Sequence, residues 1–402
     1  MKNLKKTIAL LSALAMAGTM LAGCGTKGGD DTKTTTTAAK DETTKAGETT
    51  TAAKAAEVKD TNKHLVIYIW NEEFKGMFEK YYLKDHPLPD GYTYDFVLNP
   101  SKDNVYQNKL DEAIQKQADA ADDDKIDMFL IEADYALKYV NSDATKDVKS
   151  VGITDDDLKN QYEYTKQIAT DSNGVLKGVS WQATPGLFVY RRSIAKTVFG
   201  TDDPAKVQEQ LADWDKFDAA AKTVKEKTSG KVTMLSGYAD SYRTFSNNVS
   251  KPWVADNKIV VDGNITKWID QTKTFTDNGY NQKTSLWDDN WTKGQGPNGN
   301  VFGYFYSTWG INFTLLGNSL ATQVKDGGKE EVGNGIYGDW AACEGPQAYY
   351  WGGTWICASS SNNTQALTAD DMKYITVDTD AMQKYSEAPQ DYVNNKSSIN
   401  NI

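Results

Sequence analysis

The run Leu65-Val66-Ile67-Tyr68-Ile69-Trp70 is six consecutive apolar residues of strand length, and its lack of alternation predicts a strand buried on both faces. The next segments restrict how its neighbours can be arranged. Phe74, Met77, Phe78, Tyr81 and Tyr82 recur at helical spacing, Asn71 can cap that helix, and Pro87 and Pro89 stop it. Then come a strand over 92–98, an amphipathic helix carrying Tyr106, Leu110 and Ile114, and a strand over 126–131. This β-α-β-α-β order predicts an α/β lobe of parallel strands joined by right-handed crossovers. Ligand sites in such lobes lie at the carboxyl ends of the strands, here just after Trp70 and Ile131.

A second series begins near Trp181. It has a strand through Leu187-Phe188-Val189-Tyr190, helices around Val198 and over 213–227, and a strand at 232–235. Farther on, 265–278 is helical in pattern, Gly294 to Asn300 is a glycine-rich loop, and Val301 to Tyr306 is an aromatic strand. A second α/β lobe is expected. Hydrophobic residues make up 39% of the 402, enough for two ordinary cores once the first sixty residues are set aside.

Those first sixty residues are of another kind. Lys2, Lys5 and Lys6 precede an apolar stretch from Ile8 to Met20, too short to span a bilayer stably and suited to a secretory signal. Leu21-Ala22-Gly23-Cys24 comes directly after it and resembles the lipobox of bacterial lipoproteins, which implies cleavage after residue 23 and acylation of Cys24. Two acyl chains hold a protein at a membrane where one does so only marginally. The segment 24–60 is Thr, Ala, Lys, Asp, Glu and Gly, with almost nothing to bury, and is expected to be a disordered tether letting the folded part range on the order of 30 Å from the surface.

The formal charge is −11, and removal of Lys2, Lys5 and Lys6 with the leader takes it to −14, which argues against nucleic acid and anionic lipid as partners. Only His64 and His86 are present, with no His-Glu-x-x-His, so zinc hydrolysis and histidine-based triads have little to stand on, and no metal or cofactor is expected. Gly333, Gly335 and Gly338 spell G-x-G-x-x-G but lack a preceding strand and a following helix, and read as a loop. The acidic runs 122–124 and 155–157 lack the spacing of a calcium loop. With Cys24 assigned to lipid, Cys343 and Cys357 remain in an oxidising setting, either as a disulfide or as two separate thiols.

Aromatic residues make up 11% of the chain, with 11 Trp and 22 Tyr. A pyranose lays apolar C–H faces on such rings and offers a rim of hydroxyls to carboxylates, amides and guanidinium groups. Six clusters combine rings or glycine gaps with polar groups: Trp70-Asn71-Glu72-Glu73, Glu132-Ala133-Asp134-Tyr135, Trp181-Gln182, Asp240-Ser241-Tyr242-Arg243, Ser307-Thr308-Trp309 and Trp351-Gly352-Gly353-Thr354-Trp355. For each ring the alternative is packing in a core or between lobes. Glu72-Glu73 and Asp288-Asp289 are the carboxylate pairs that a glycosidase reading would use, although adjacent residues point different ways.

The lipobox, W-N-E-E-F, D-M-F-L-I-E-A-D-Y, V-S-W-Q-A-T-P-G-L-F-V-Y-R-R, W-D-K-F and E-G-P-Q-A-Y-Y-W-G-G-T-W-I-C, in that order, resemble the family 1 extracellular solute-binding proteins of carbohydrate ABC importers, from Cys24 to about Asn395. The resemblance implies a two-lobed periplasmic-binding-protein-like α/β fold, each lobe a mostly parallel sheet flanked by helices, with a hinge. It places 61–181 and 304–360 in the first lobe and 182–303 and 361–402 in the second, with crossings near Trp181, Tyr304 and Ser360. It implies a cleft lined by Trp70, Asn71, Glu73 and Asp134 from one lobe and Asp240, Tyr242 and Arg243 from the other. Trp181, Gln182, Trp309, Gly352, Gly353 and Trp355 complete the expected site. Glycine at 352 and 353 would let backbone amides approach a ligand. The implied function is capture of an oligosaccharide, without bond cleavage, by a monomer lipid-anchored at the outer face of a bacterial membrane, for delivery to ABC permease subunits. The alternatives are a surface glycoside hydrolase and the binding of a non-sugar polar solute. The family continues past D-Y-V-N-N with further helices, so a chain ending at Ile402 is expected to leave its second lobe incomplete.

Overall fold

The computed structural model describes residues 59–387 and a short strand at Ile399–Asn400. The expected leader, Cys24 and the tether up to residue 58 lie outside the described residues. Seven strands organise the fold: β1 (His64–Ile69), β2 (Thr93–Leu98), β3 (Met128–Glu132), β4 (Gly186–Arg191), β5 (Gly303–Ser307), β6 (Trp340–Cys343) and β7 (Thr354–Ala358). They form two sheets, one in the order β7-β3-β1-β2 and one in the order β5-β4-β6.

In the first sheet β1 runs parallel to β2, His64 opposite Thr93, and parallel to β3, Ile67 opposite Met128. The unbroken apolar run of β1 is explained by its position, because both faces are covered. Leu65, Ile67 and Ile69 point into a core shared with Phe74, Phe78, Met128 and Leu130, whereas Tyr68 packs on the opposite side with Tyr106, Phe129 and Ile131. The helix expected after β1 runs through Glu73–Met77, a π turn at Phe78–Tyr82, and Leu83–Asp85, and Asn71 Oδ1 accepts the Glu73 N–H at 3.0 Å near its start. Helix Val105–Gln115 buries Tyr106 and Leu110, and the Tyr106 hydroxyl donates to the Leu130 carbonyl at 2.6 Å. Asp127 ties the layer together: its carboxylate accepts N–H groups of Val66, Asn363 and Thr364, holding β1 and the start of helix Gln365–Thr376 to the lead-in of β3.

The second sheet is built by the same alternation. Phe188, Tyr190 and Phe305 enter one core with Phe217 and Phe275, while Val189, Tyr304 and Tyr306 enter another with Trp291 and Leu315. Its strands are antiparallel, β5 and β6 both flanking β4, which departs from the mostly parallel pairing expected. The apolar runs set burial on both faces, and strand direction comes from long connections that leave no local pattern. The parallel pair Leu235–Gly237 and Asn281–Thr284 stands beside it.

The chain passes from the first sheet to the second between Gln182 and Gly186, and back between Trp351 and Thr354. This corrects two expected segments. Residues 304–351 belong with β4, because β5 pairs with β4 along its whole length, and only β7 returns to the first sheet. Helix Gln365–Thr376 and the helix over 379–387 supply Leu367, Met372, Ile375, Met382 and Tyr385 to the first core, not the second. Tyr304 and Ser360 therefore lie inside the two halves rather than at crossings. Cys343 and Cys357 do not pair: both are free thiols, one on β6 in the second sheet and one buried on β7 in the first. Burial pushes the Cys343 thiol up to about 11, so at neutral pH it is a protonated small hydrophobe. No helix of the described residues is long and apolar enough to cross a membrane.

Candidate ligand-binding cleft

Strands β1, β3 and β5 end toward one another, and the residues just beyond them line a cleft of about 510 Å³. From the first half come Trp70, Asn71, Glu73, Pro100, Ser101, Lys102, Glu132 and Tyr135. From the second come Trp287, Trp309, Phe313 and Trp351, and Gln182, Gly352, Gly353 and Thr354 lie on the two connecting segments. The volume falls within the range of small-molecule sites, roughly 300–1,000 Å³.

The aromatic wall is preorganised. Trp287 and Trp309 are nearly parallel, with centroids 6.3 Å apart, and Trp351 meets Trp309 edge-on at 5.5 Å. Trp309 Nε1 donates to the Trp351 carbonyl at 2.7 Å, which fixes the plane of its ring. Trp287 adopts φ +69°, a left-handed backbone that costs a bulky residue about 1–3 kcal/mol and marks a position held by its surroundings. Across the cleft, Trp70 is propped edge-on by Tyr106 at 5.3 Å and Tyr135 at 6.5 Å.

The polar floor is equally fixed. Glu73 is buried, and its Oε1 accepts from Gln182 Nε2 and from the Tyr385 hydroxyl, each at 2.9 Å. Gln182 Oε1 in turn accepts the Thr354 N–H at 2.9 Å, so one carboxamide joins the two connecting segments. Gly352 and Gly353 have φ of +80° and +112°, and a Cβ on Gly352 would lie 3.1 Å from Trp309 Nε1 and 3.6 Å from Glu132 Oε1. A ligand atom reaching that backbone therefore meets an indole edge on one side and a carboxylate on the other.

Glu132 terminates β3, and its Oε2 accepts the Asp134 N–H at 2.7 Å. Withdrawal from water, reinforced by the neighbouring Asp134 charge, pushes its carboxyl up to about 7. Asp134 itself reaches across the mouth of the cleft to Arg243, at 2.6 Å, and the Arg243 guanidinium lies 4.7 Å above the Trp351 ring.

Of the residues expected in the site, Trp70, Asn71, Glu73, Gln182, Trp309, Gly352 and Gly353 meet in this cleft, with Asp134 and Arg243 at its mouth. Four others lie elsewhere. Trp181 is buried in the first core against Phe74 at 5.8 Å, and Trp355 is buried with Nε1 donating to the Thr165 carbonyl at 2.8 Å, its ring beneath Gly353. Asp240 is a buried brace accepting from the Ser236 and Gly237 amides and from Trp291 Nε1. Tyr242 packs edge-on against Trp268 at 4.8 Å. Strand-end position marks a neighbourhood but not which way a ring turns. Trp287 and Phe313 are in none of the candidate clusters, and Glu132 is in one of them but not in the site that the resemblance implies; Glu132 was legible as the first polar residue after an apolar strand, and Trp287 only as a tryptophan in a polar turn.

Residues 90–401 match the family described as bacterial extracellular solute-binding protein. The chain belongs to that family. Among solved structures it is similar to an extracellular solute-binding protein of family 1, at 18% identity over 79% of this chain and 75% of that one, with a TM-score of 0.62. It is also similar to the galacto-N-biose-/lacto-N-biose I-binding protein of the ABC transporter from Bifidobacterium longum, solved with lacto-N-biose (12% identity, 83% and 77% covered, TM-score 0.59). A third is the ABC transporter associated binding protein from B. animalis subsp. lactis, solved with β-1,6-galactobiose (18% identity, 80% and 73% covered, TM-score 0.53). These likenesses show a two-lobed α/β binding-protein fold. No match was found among curated protein sequences.

Proposed function

We propose that this protein captures a sugar, of oligosaccharide length, in the cleft between its two sheets and delivers it to an ABC importer without breaking a bond. The observation that carries this is the wall of Trp287, Trp309 and Trp351 facing Trp70 above a floor of Glu73, Gln182 and Gly352. Flat apolar faces opposite fixed hydrogen-bonding groups are what a pyranose ring requires. Similar structures solved with lacto-N-biose and β-1,6-galactobiose support the reading. Acylation at Cys24 would retain the receptor at the outer membrane face, where released solute meets the permease.

A cognate glycan is expected to change tryptophan fluorescence saturably and to be recovered intact. Trp309→Ala should weaken it by about 1–3 kcal/mol, roughly 5- to 150-fold, since it removes a stacking face that its own hydrogen bond holds in place. Absence of any saturable response across a broad glycan panel would sink the proposal. New reducing ends would point instead to a hydrolase.

A further inference from the structure

Glu132 lines the cleft and has no ion-pair partner among the described residues. Its oxygens accept backbone N–H groups of Asp134 and Ala133. The nearest fixed cation, Arg243, is engaged by Asp134 instead. The other charged groups lining the cleft are Glu73, tied to Gln182 and Tyr385, and Lys102, exposed at the open edge. Glu132 is half-buried, a carboxylate left unpaired in such a place is costly, and a cation arriving with the ligand reduces that cost.

The aromatic wall favours the same kind of group. Indole faces attract cations, and the Arg243 guanidinium over Trp351 shows that this wall already holds one. A Cβ at Gly352 would lie 3.6 Å from Glu132 Oε1, so a ligand atom beside that glycine is within hydrogen-bonding reach of the carboxylate. An ammonium there would make a charge-assisted hydrogen bond to Glu132.

Resting on the reading of the cleft as a sugar site, we propose that its ligand is an aminated glycan, carrying at least one unacetylated amino sugar whose ammonium seats against Glu132 beside Gly352. A neutral sugar could use the same platform but would leave the carboxylate uncompensated.

The test is calorimetry on the full chain with oligosaccharides of several linkages, each in neutral, N-acetylated and free-amine form. Free-amine forms should bind at least about tenfold more tightly than their neutral and acetylated partners near pH 7, the margin of one charge-assisted bond. That preference should shrink as pH falls below about 7 and Glu132 takes up a proton. Glu132→Gln should narrow the free-amine to neutral ratio, with thermal melting of the unliganded variant checking its fold; should the variant not fold, the wild-type ratio decides. Neutral or acetylated forms binding as well as the amines overturns this inference and leaves the sugar reading standing. Failure of every form to bind overturns both.

Discussion

At the scale of single residues, Glu132 carries a consequence for stability as well as for recognition. Its folded-state carboxyl is raised from the ordinary 4.5 to about 7, burial being the larger cause. The unfolded chain gives up that proton near 4.5, while the native state keeps it until about 7. The native state therefore binds more protons in this window, and its stability falls as pH rises through it. Burial raises Asp127, Asp218, Asp240 and Asp371 as well, with the same sign, so the informative quantity is the difference between two proteins. Urea unfolding across this pH range should show a shallower decline for Glu132→Gln than for the wild type. Identical slopes would mean that Glu132 is charged throughout. Glu132 was within reach of sequence reasoning, since it caps an apolar strand at the ligand end, but its lack of an ion-pair partner was not, because that depends on Asp134 having taken Arg243, 109 residues away.

At the scale of elements, the fit between β4 and β5 sets the position of Trp309. Gly303 opens β5 opposite Tyr190, and a Cβ there would come within 2.3 Å of the Phe188 ring and 2.6 Å of the Val189 carbonyl. Backbone cannot yield as a flexible side chain can. Gly303→Ala should cost about 1–3 kcal/mol in denaturant unfolding, with ligand affinity falling further if β5 shifts. An unchanged midpoint would show that the strand pair is looser than its register implies. Elements with strong local patterns were legible: β1 and β4 by unbroken apolar runs, and helix Trp214–Lys227 by its period and by Asp213, whose side chain accepts the Lys216 N–H at 2.8 Å. The antiparallel partners of β4 were not, since β5 and β6 lie more than a hundred residues downstream and nothing local states which way a neighbour runs.

For the whole molecule, the two halves meet through the pair Asp134–Arg243 and the paired connecting segments. Asp134 is 62% exposed, so this ion pair adds only about 0–1 kcal/mol to global stability, and its larger effect is on how readily the mouth of the cleft opens. Asp134→Ala is expected to leave the unliganded melting temperature nearly unchanged while widening the unliganded particle in solution scattering, and a saturating ligand should close it again. A large loss of stability with no change in dimensions would assign the pair a structural role. A ligand at a hundred times its dissociation constant should add about 2.7 kcal/mol to the native state. By itself the sequence determined two α/β layers and pointed to a cleft at strand ends, because periodicity and turn chemistry are written in neighbouring residues. Tertiary structure decided that Trp181 and Trp355 are core while Trp287 lines the cleft, that residues 304–351 complete the second sheet, and that the last helices return to the first core. An indole's hydrophobicity is the same in either place; only contacts between residues distant in the chain choose which face of a ring is left for a ligand.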